Sequence, residues 1–180
     1  MNKLIIISGP SGVGKGTIVN ELLKKGDYAL SISCTTRPPR SGESEGVSYF
    51  FISKHEFHSM IKQGGFLEYD KHFGNLYGTP KDFVEKQLQT KNVILEIEVN
   101  GALNAKKSYP QALLLMILPP SLEELKARLN HRGTESPKKI KKRMERIEYE
   151  LSQRDKYDYT VINDDLQRAV DEIEEIIKNS

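Results

Sequence analysis

Near the start of the chain, the segment Gly9-Pro10-Ser11-Gly12-Val13-Gly14-Lys15-Gly16-Thr17 combines four glycines with a lysine and two hydroxyls. Glycines let successive backbone N–H groups turn inward and approach a polyphosphate closely, and a lysine adds a full positive charge beside its terminal phosphates. The string carries this meaning between a strand and a helix, and its flanks supply both. Leu4–Ile7 is a short apolar run, whereas Ile18, Val19, Leu22 and Leu23 recur at helical spacing. The helix N-terminus would add partial positive charge at the loop. Gly9, Ser11, Gly12, Val13, Gly14, Lys15, Gly16 and Thr17 are therefore expected to hold the polyphosphate of a nucleotide. Gly16 stands where such loops commonly carry a Ser or Thr that reaches Mg²⁺, so Thr17 is the available hydroxyl, acting directly or through water.

A phosphate loop alone serves many activities. The segment Ser33 to Tyr49 places Arg37, Arg40 and Tyr49 in a loop punctuated by proline and glycine, where guanidinium forks can grip a phosphate bidentately. Glu96 and Glu98 alternate along an expected strand, so both are read as facing one side of the sheet near its C-terminal end, where α/β proteins collect ligands. Arg128 and Arg132 lie four apart on one helix and Arg143 on the next, as cations able to close on a nucleotide. Lys138, Lys139, Lys141 and Lys142 read as a solvated helix face. His55, His58, His72 and His131 lack metal-ligand spacing, and Cys34 reads as a small packed residue rather than a reactive thiol.

The elements that must position these groups alternate between strand and helix. Val93–Ile97, Ala112–Leu118 and Tyr159–Ile162 are strand candidates, and the first two are continuous apolar runs, as in strands covered on both faces. Ser53 with Glu56 and Ser121 with Glu124 fit capping boxes, and Pro137 suits a first helical turn. The pattern is α/β, a three-layer fold with a mainly parallel central sheet. Residues 33–80 break the alternation, with β-prone pieces at Tyr49–Ile52 and Phe66–Tyr69. They are expected to form an insertion over the ligand-binding end, while residues 133–137, between two basic helical stretches, read as a second, smaller mobile piece. The expected core is 1–32, 81–127 and 144–180, within one domain.

At 180 residues, one domain is the natural size. Lys and Arg number 27 against 25 Asp and Glu, a formal charge of +2, which announces neither a nucleic-acid nor a membrane surface. One cysteine and the absence of a long apolar run or signal-like start lead to the expectation of a reducing, cytoplasmic setting.

With these features in place, the chain resembles guanylate kinases of the nucleoside monophosphate kinase family. The resemblance runs through the phosphate loop, the Ser33–Tyr49 block, Phe66-Leu67-Glu68-Tyr69, Gly74 to Pro80, Leu95 to Ala102, Arg128 to Ser136 and Tyr157 to Asp165, in the family's order. It implies transfer of a phosphoryl group from MgATP to GMP. It further implies that Arg37, Arg40, Tyr49 and Tyr77 hold the GMP phosphate, that Ser33, Glu68 and Thr79 read guanine, and that Glu98 serves the acceptor side. Lys15, Arg132 and Arg143 would carry catalysis, and Arg128, Arg132 and Asn163 would join the phosphate loop in holding ATP, with residues 128–143 as the lid over it. Glu98 and Asn100 depart from the aspartate and glutamine usual at these positions. The alternatives are a catalytically silent, guanylate-kinase-like peptide-binding module and a kinase for another nucleoside monophosphate.

Overall fold

The computed structural model describes residues 2–72, 74–130 and 137–180, the backbone alone at 128–130 and 137–140. In chain order, the first part carries β1 (Leu4–Ser8), α1 (Lys15–Lys24), β2 (Tyr28–Leu30), β3 (Cys34–Thr35), β4 (Phe50–Phe51) and α2 (Lys54–Lys62). There follow β5 (Phe66–His72), β6 (Asn75–Pro80), α3 (Lys81–Leu88), β7 (Asn92–Glu96) and α4 (Val99–Ser108). The rest comprises β8 (Leu113–Leu118), α5 (Leu122–Asn130), α6 (Pro137–Ser152), β9 (Tyr159–Ile162) and α7 (Leu166–Asn179).

Five strands form a sheet in the order β2-β7-β1-β8-β9, and each neighbouring pair is parallel. The apolar runs are continuous because both faces are covered. Ile5 and Ile7 pack on one face with Ile18, Leu22 and Ile173 from α1 and α7. Leu4 and Ile6 pack on the other with Val84, Ala102 and Ala105 from α3 and α4. This arrangement is the expected three-layer α/β fold. The expected strand at Val93–Ile97 begins and ends one residue earlier, and β2, three residues long, is too short to show a period.

A second sheet, β4-β3-β6-β5, is built wholly from residues 34–80. Its β5–β6 hairpin extends three residues past the apolar piece Phe66–Tyr69, because Asp70, Lys71 and His72 pair with Tyr77, Leu76 and Asn75. Helix α2 starts on the expected capping box, with Ser53 and Glu56 each accepting the other's backbone N–H. At α5, the Ser121 hydroxyl accepts the Glu124 N–H at 3.1 Å. Helix α6 runs unbroken from Pro137 to Ser152, so the expected lid limit at residue 143 falls inside a helix.

Candidate active site

Strand β1 delivers the chain to the phosphate loop at Ser8. Gly9 has φ +144°, and a Cβ there would collide with the Ile117 carbonyl oxygen of the neighbouring strand. The loop therefore lies flat on the end of β8. Gly14, at φ +95°, caps α1 without a side-chain cap, which leaves the first-turn N–H groups open to an anion. Val13 is buried and roots the loop in the core, while Asn163 Nδ2 donates to the Val13 carbonyl at 2.7 Å. Asn163, expected to hold ATP, thus braces the loop expected to do so.

Lys15 Nζ donates to the Gly9 and Pro10 carbonyls at 2.6 and 3.1 Å, held over its own loop. Burial lowers its pKa from the usual lysine value, and Glu98, Glu96 and Glu150 oppose that shift. From α6, Arg143 Nη2 donates to Ser11 Oγ at 3.0 Å, so the structure brings this expected catalytic arginine to the loop. Thr17 is exposed on the first turn of α1. The Glu96 carboxylate lies 3.7–3.8 Å from where a side chain at Gly16 would begin. The hydroxyl and the carboxylate are both hard oxygen donors that suit Mg²⁺. Arg132 and the Arg128 side chain lie outside the described residues.

The loop opens on a cleft of about 570 Å³ whose lining includes Lys15, Ser33, Arg40, Tyr49, Glu96 and Glu98. At one end, Glu68 is 8% exposed and accepts the Thr79 hydroxyl at 2.7 Å. Burial raises its pKa, opposed by the Thr79 hydrogen bonds. Gly101 makes room for this carboxylate, since a Cβ there would stand 3.0 Å from Glu68 Oε2. At the other end, Arg37 donates from Nε to the Tyr77 hydroxyl at 3.3 Å and lies 5.5 Å from the centre of the Tyr49 ring. Arg40 is exposed at the same rim. Ser33 is tied to β4 through its carbonyl, which accepts Phe50 N–H at 2.9 Å.

Sequence reasoning missed two residues here. Glu43 binds Arg37 bidentately at 2.8 and 2.9 Å and accepts the Arg40 backbone N–H at 2.8 Å, so it shapes the arginine loop. Its place between two arginines and a glycine turn was the available signal. Arg146 joins Glu98 at 3.1 Å and Glu150 at 2.9 Å. Its signal was the spacing of four from Glu150 on one helix face.

The reading of Glu96 and Glu98 as one alternating strand needs correction. Strand β7 ends at Glu96, and Glu98 is the extended residue that precedes α4, with φ −68° and ψ 159°. Both still line the cleft, because the chain turns there into a helix. Burial raises the Glu96 pKa, with Lys15 opposing. Cys34 is 3% exposed, and burial pushes its thiol up to about 11, as suits a packed residue. His55 and His58 are exposed on α2, His72 faces Arg146, and His131 lies outside the described residues.

A family model described as guanylate kinase matches residues 1–180. The guanylate kinase of Caldanaerobacter subterraneus subsp. tengcongensis is 52% identical over 176 residues, covering 97% of this chain and 85% of that one. That of Clostridium tetani is 49% identical over 175 residues, covering 97% and 84%. Among solved structures, guanylate kinase from Anaplasma phagocytophilum superposes with a TM-score of 0.79 at 30% identity, covering 99% of this chain and 85% of that one. A phosphate loop closed by a lysine, facing a buried carboxylate across one cleft and matched along the whole length, places this chain in the guanylate kinase family.

Proposed function

We propose that this chain transfers the terminal phosphoryl group of MgATP to GMP, giving ADP and GDP by direct in-line displacement. The observation that carries the reading is a single cleft with the Lys15 loop on one wall and the buried Glu68–Thr79 pair on another.

ATP lies with its phosphates on Gly9, Ser11, Gly12, Val13, Gly14, Lys15, Gly16 and Thr17, with Arg128, Arg132 and Asn163 as further contacts. Lys15 exchanges its two loop carbonyls for phosphate oxygens and spreads the charge of the transferred group, together with Arg132 and Arg143. Thr17 and Glu96 are the residues suited to hold Mg²⁺, and that ion, when bound, neutralises polyphosphate charge.

GMP lies with its phosphate on Arg37, Arg40, Tyr49 and Tyr77. Glu43, by fixing Arg37, preorganises that grip. Ser33, Glu68 and Thr79 read the base. Guanine presents N1–H and N2–H₂ to an ionised Glu68, whereas adenine presents a lone pair at N1 that the carboxylate repels. Glu98 completes the acceptor side. A phosphomonoester has its second pKa near about 6, so the attacking oxygen needs no protein base at neutral pH.

The division into a core (1–32, 81–127, 144–180), an acceptor-binding insertion (33–80) and a lid (128–143) belongs to the same proposal, with closure keeping out water as a competing acceptor. Among the described residues no helix is long and apolar enough to cross a membrane, and a cytoplasmic setting without a nucleic-acid partner fits the small net charge. Nothing observed favours the peptide-binding reading or a different acceptor. ADP production, measured with GMP, AMP, CMP and UMP in turn and with Lys15→Ala, tests the reading. Activity confined to GMP and lost in the variant is expected, and a protein inactive with GMP would sink it.

A further inference from the structure

One side chain outside the phosphate loop and the base pocket ties three parts of the molecule together. Arg146 lies on α6 three residues, about one turn, beyond Arg143. Its Nε donates to Glu150 at 2.9 Å, its Nη2 to Glu98 at 3.1 Å, and its Nη1 lies 3.1 Å from His72 Nδ1. Glu150 belongs to α6, Glu98 precedes α4 in the core, and His72 ends β5 in the second sheet. A planar guanidinium can serve three directions at once, where an ammonium could not keep the same geometry.

The contact next to it points the same way. Tyr149 donates its hydroxyl to Asn100 Oδ1 at 3.2 Å. Glu98 and Asn100, two residues apart at the start of α4, both touch α6. The two contacts therefore form one brace between the start of α4 and the helix that carries Arg143.

Charge gives the brace a consequence for the reaction. Glu96, Glu98 and Glu150 all act on Lys15, pulling at the ammonium that must turn to a nucleotide. Arg146 pairs with two of these three carboxylates, and its own charge opposes their effect on Lys15. The Glu150 side chain is 4% exposed, so this pairing also satisfies a buried charge.

We propose that Arg146 is a positioning residue for phosphoryl transfer. It sets the Glu98 carboxylate at the acceptor cleft and fixes the turn of α6 that holds Arg143 against Ser11, so that one side chain aligns the acceptor and donor sides. The inference rests on the reading of Glu98 and Arg143 given under the proposed function.

The test compares Arg146→Gln, Arg146→Lys and Glu98→Gln with the double variant Glu98→Gln/Arg146→Gln, in steady-state assays that vary GMP and ATP separately. In Arg146→Gln, kcat/KM for GMP is expected to fall about tenfold through both a lower kcat and a higher KM for GMP, while KM for ATP changes less than about twofold. Arg146→Lys is expected to recover part of the loss. The double variant is expected to be no worse than the weaker single one, since the two residues act as a unit. Because Arg146→Gln leaves Glu150 unpaired, Arg146→Gln/Glu150→Gln repeats the measurement without a lone buried carboxylate. Wild-type kcat and KM for GMP in these variants would overturn the proposal, as would losses that multiply between Glu98→Gln and Arg146→Gln. A wild-type protein inactive with GMP defeats the phosphotransfer reading itself, which keeps the two failures apart.

Discussion

At the scale of single residues, the site turns on two charges, the Lys15 ammonium at the loop and the Glu68 carboxylate in its pocket. Lys15 sits over its loop, donating to the carbonyls of Gly9 and Pro10. Lys15→Ala is expected to lower kcat by about 10²–10³-fold, the usual loss when one preorganised electrostatic donor is removed. A coupled assay for ADP measures it. Glu68 makes the complementary case on the acceptor side. Its carboxylate is buried with the Thr79 hydroxyl on one oxygen, and in the proposed complex guanine offers it two donors. Hydrogen bonds to a charged group contribute about 1.5–3 kcal/mol each, so Glu68→Gln is expected to cost about 10²–10⁴-fold in kcat/KM for GMP. Full activity with GMP in that variant would assign base reading to other residues.

At the scale of elements, the phosphate loop and the β5–α6 contact carry the testable strain and pH dependence. Gly9 combines φ +144° with the Ile117 carbonyl oxygen standing where a Cβ would have to go. Gly9→Ala is expected to destabilise the fold by at least about 1–3 kcal/mol through backbone strain alone, read from the midpoint of urea unfolding. His72 is the pH-sensitive member of the second contact. It faces Arg146 on α6, Glu98 ahead of α4, Asp70 on β5 and the Tyr77 ring on β6. Burial, then the neighbouring Arg146 charge, lowers its pKa below the usual histidine value, with Glu98 and Asp70 opposing. A depressed histidine pKa adds stability that is complete above the unfolded value of about 6.5 and is lost as pH falls through the folded one. The thermal midpoint of the wild type is therefore expected to drop relative to His72→Gln as pH falls below about 6.5, with the two curves parallel above it.

At the scale of the whole molecule, the acceptor cleft takes its walls from both sheets. Tyr49 and Glu68 come from the second sheet and its loops, whereas Glu96 and Glu98 come from the end of the central one. A ligand that binds this cleft in the folded chain alone must stabilise it by mass action. GMP at about 100 times its Kd adds about 2.7 kcal/mol, which for a chain of this size raises Tm by about 5–10 °C. AMP at the same concentration is expected to give a much smaller rise, and equal shifts with the two would contradict base reading at Glu68.

The sequence by itself determined the α/β class, the strand-loop-helix of the phosphate site and the blocks that carry the family resemblance. Each of these is written in local periodicity or in contiguous residues. The apolar runs of β1, β7 and β8 were legible because burial on both faces makes them continuous. Strand β2 was not, because three residues hold no period, and Asp70 to His72 were not, because polar residues there pair with β6 instead of a core. Glu98 was placed on a strand by its alternation with Glu96, and only the packed chain shows where β7 stops and α4 begins. The long-range partners that tune the site, Asn163 on Val13 and Arg146 on Glu98, were decided by tertiary structure. Asn163 and Val13 are 150 residues apart, and Arg146 and Glu98 are 48 apart. Such contacts leave no local pattern, because they follow from how helices and sheets pack and not from the order of residues within any one of them.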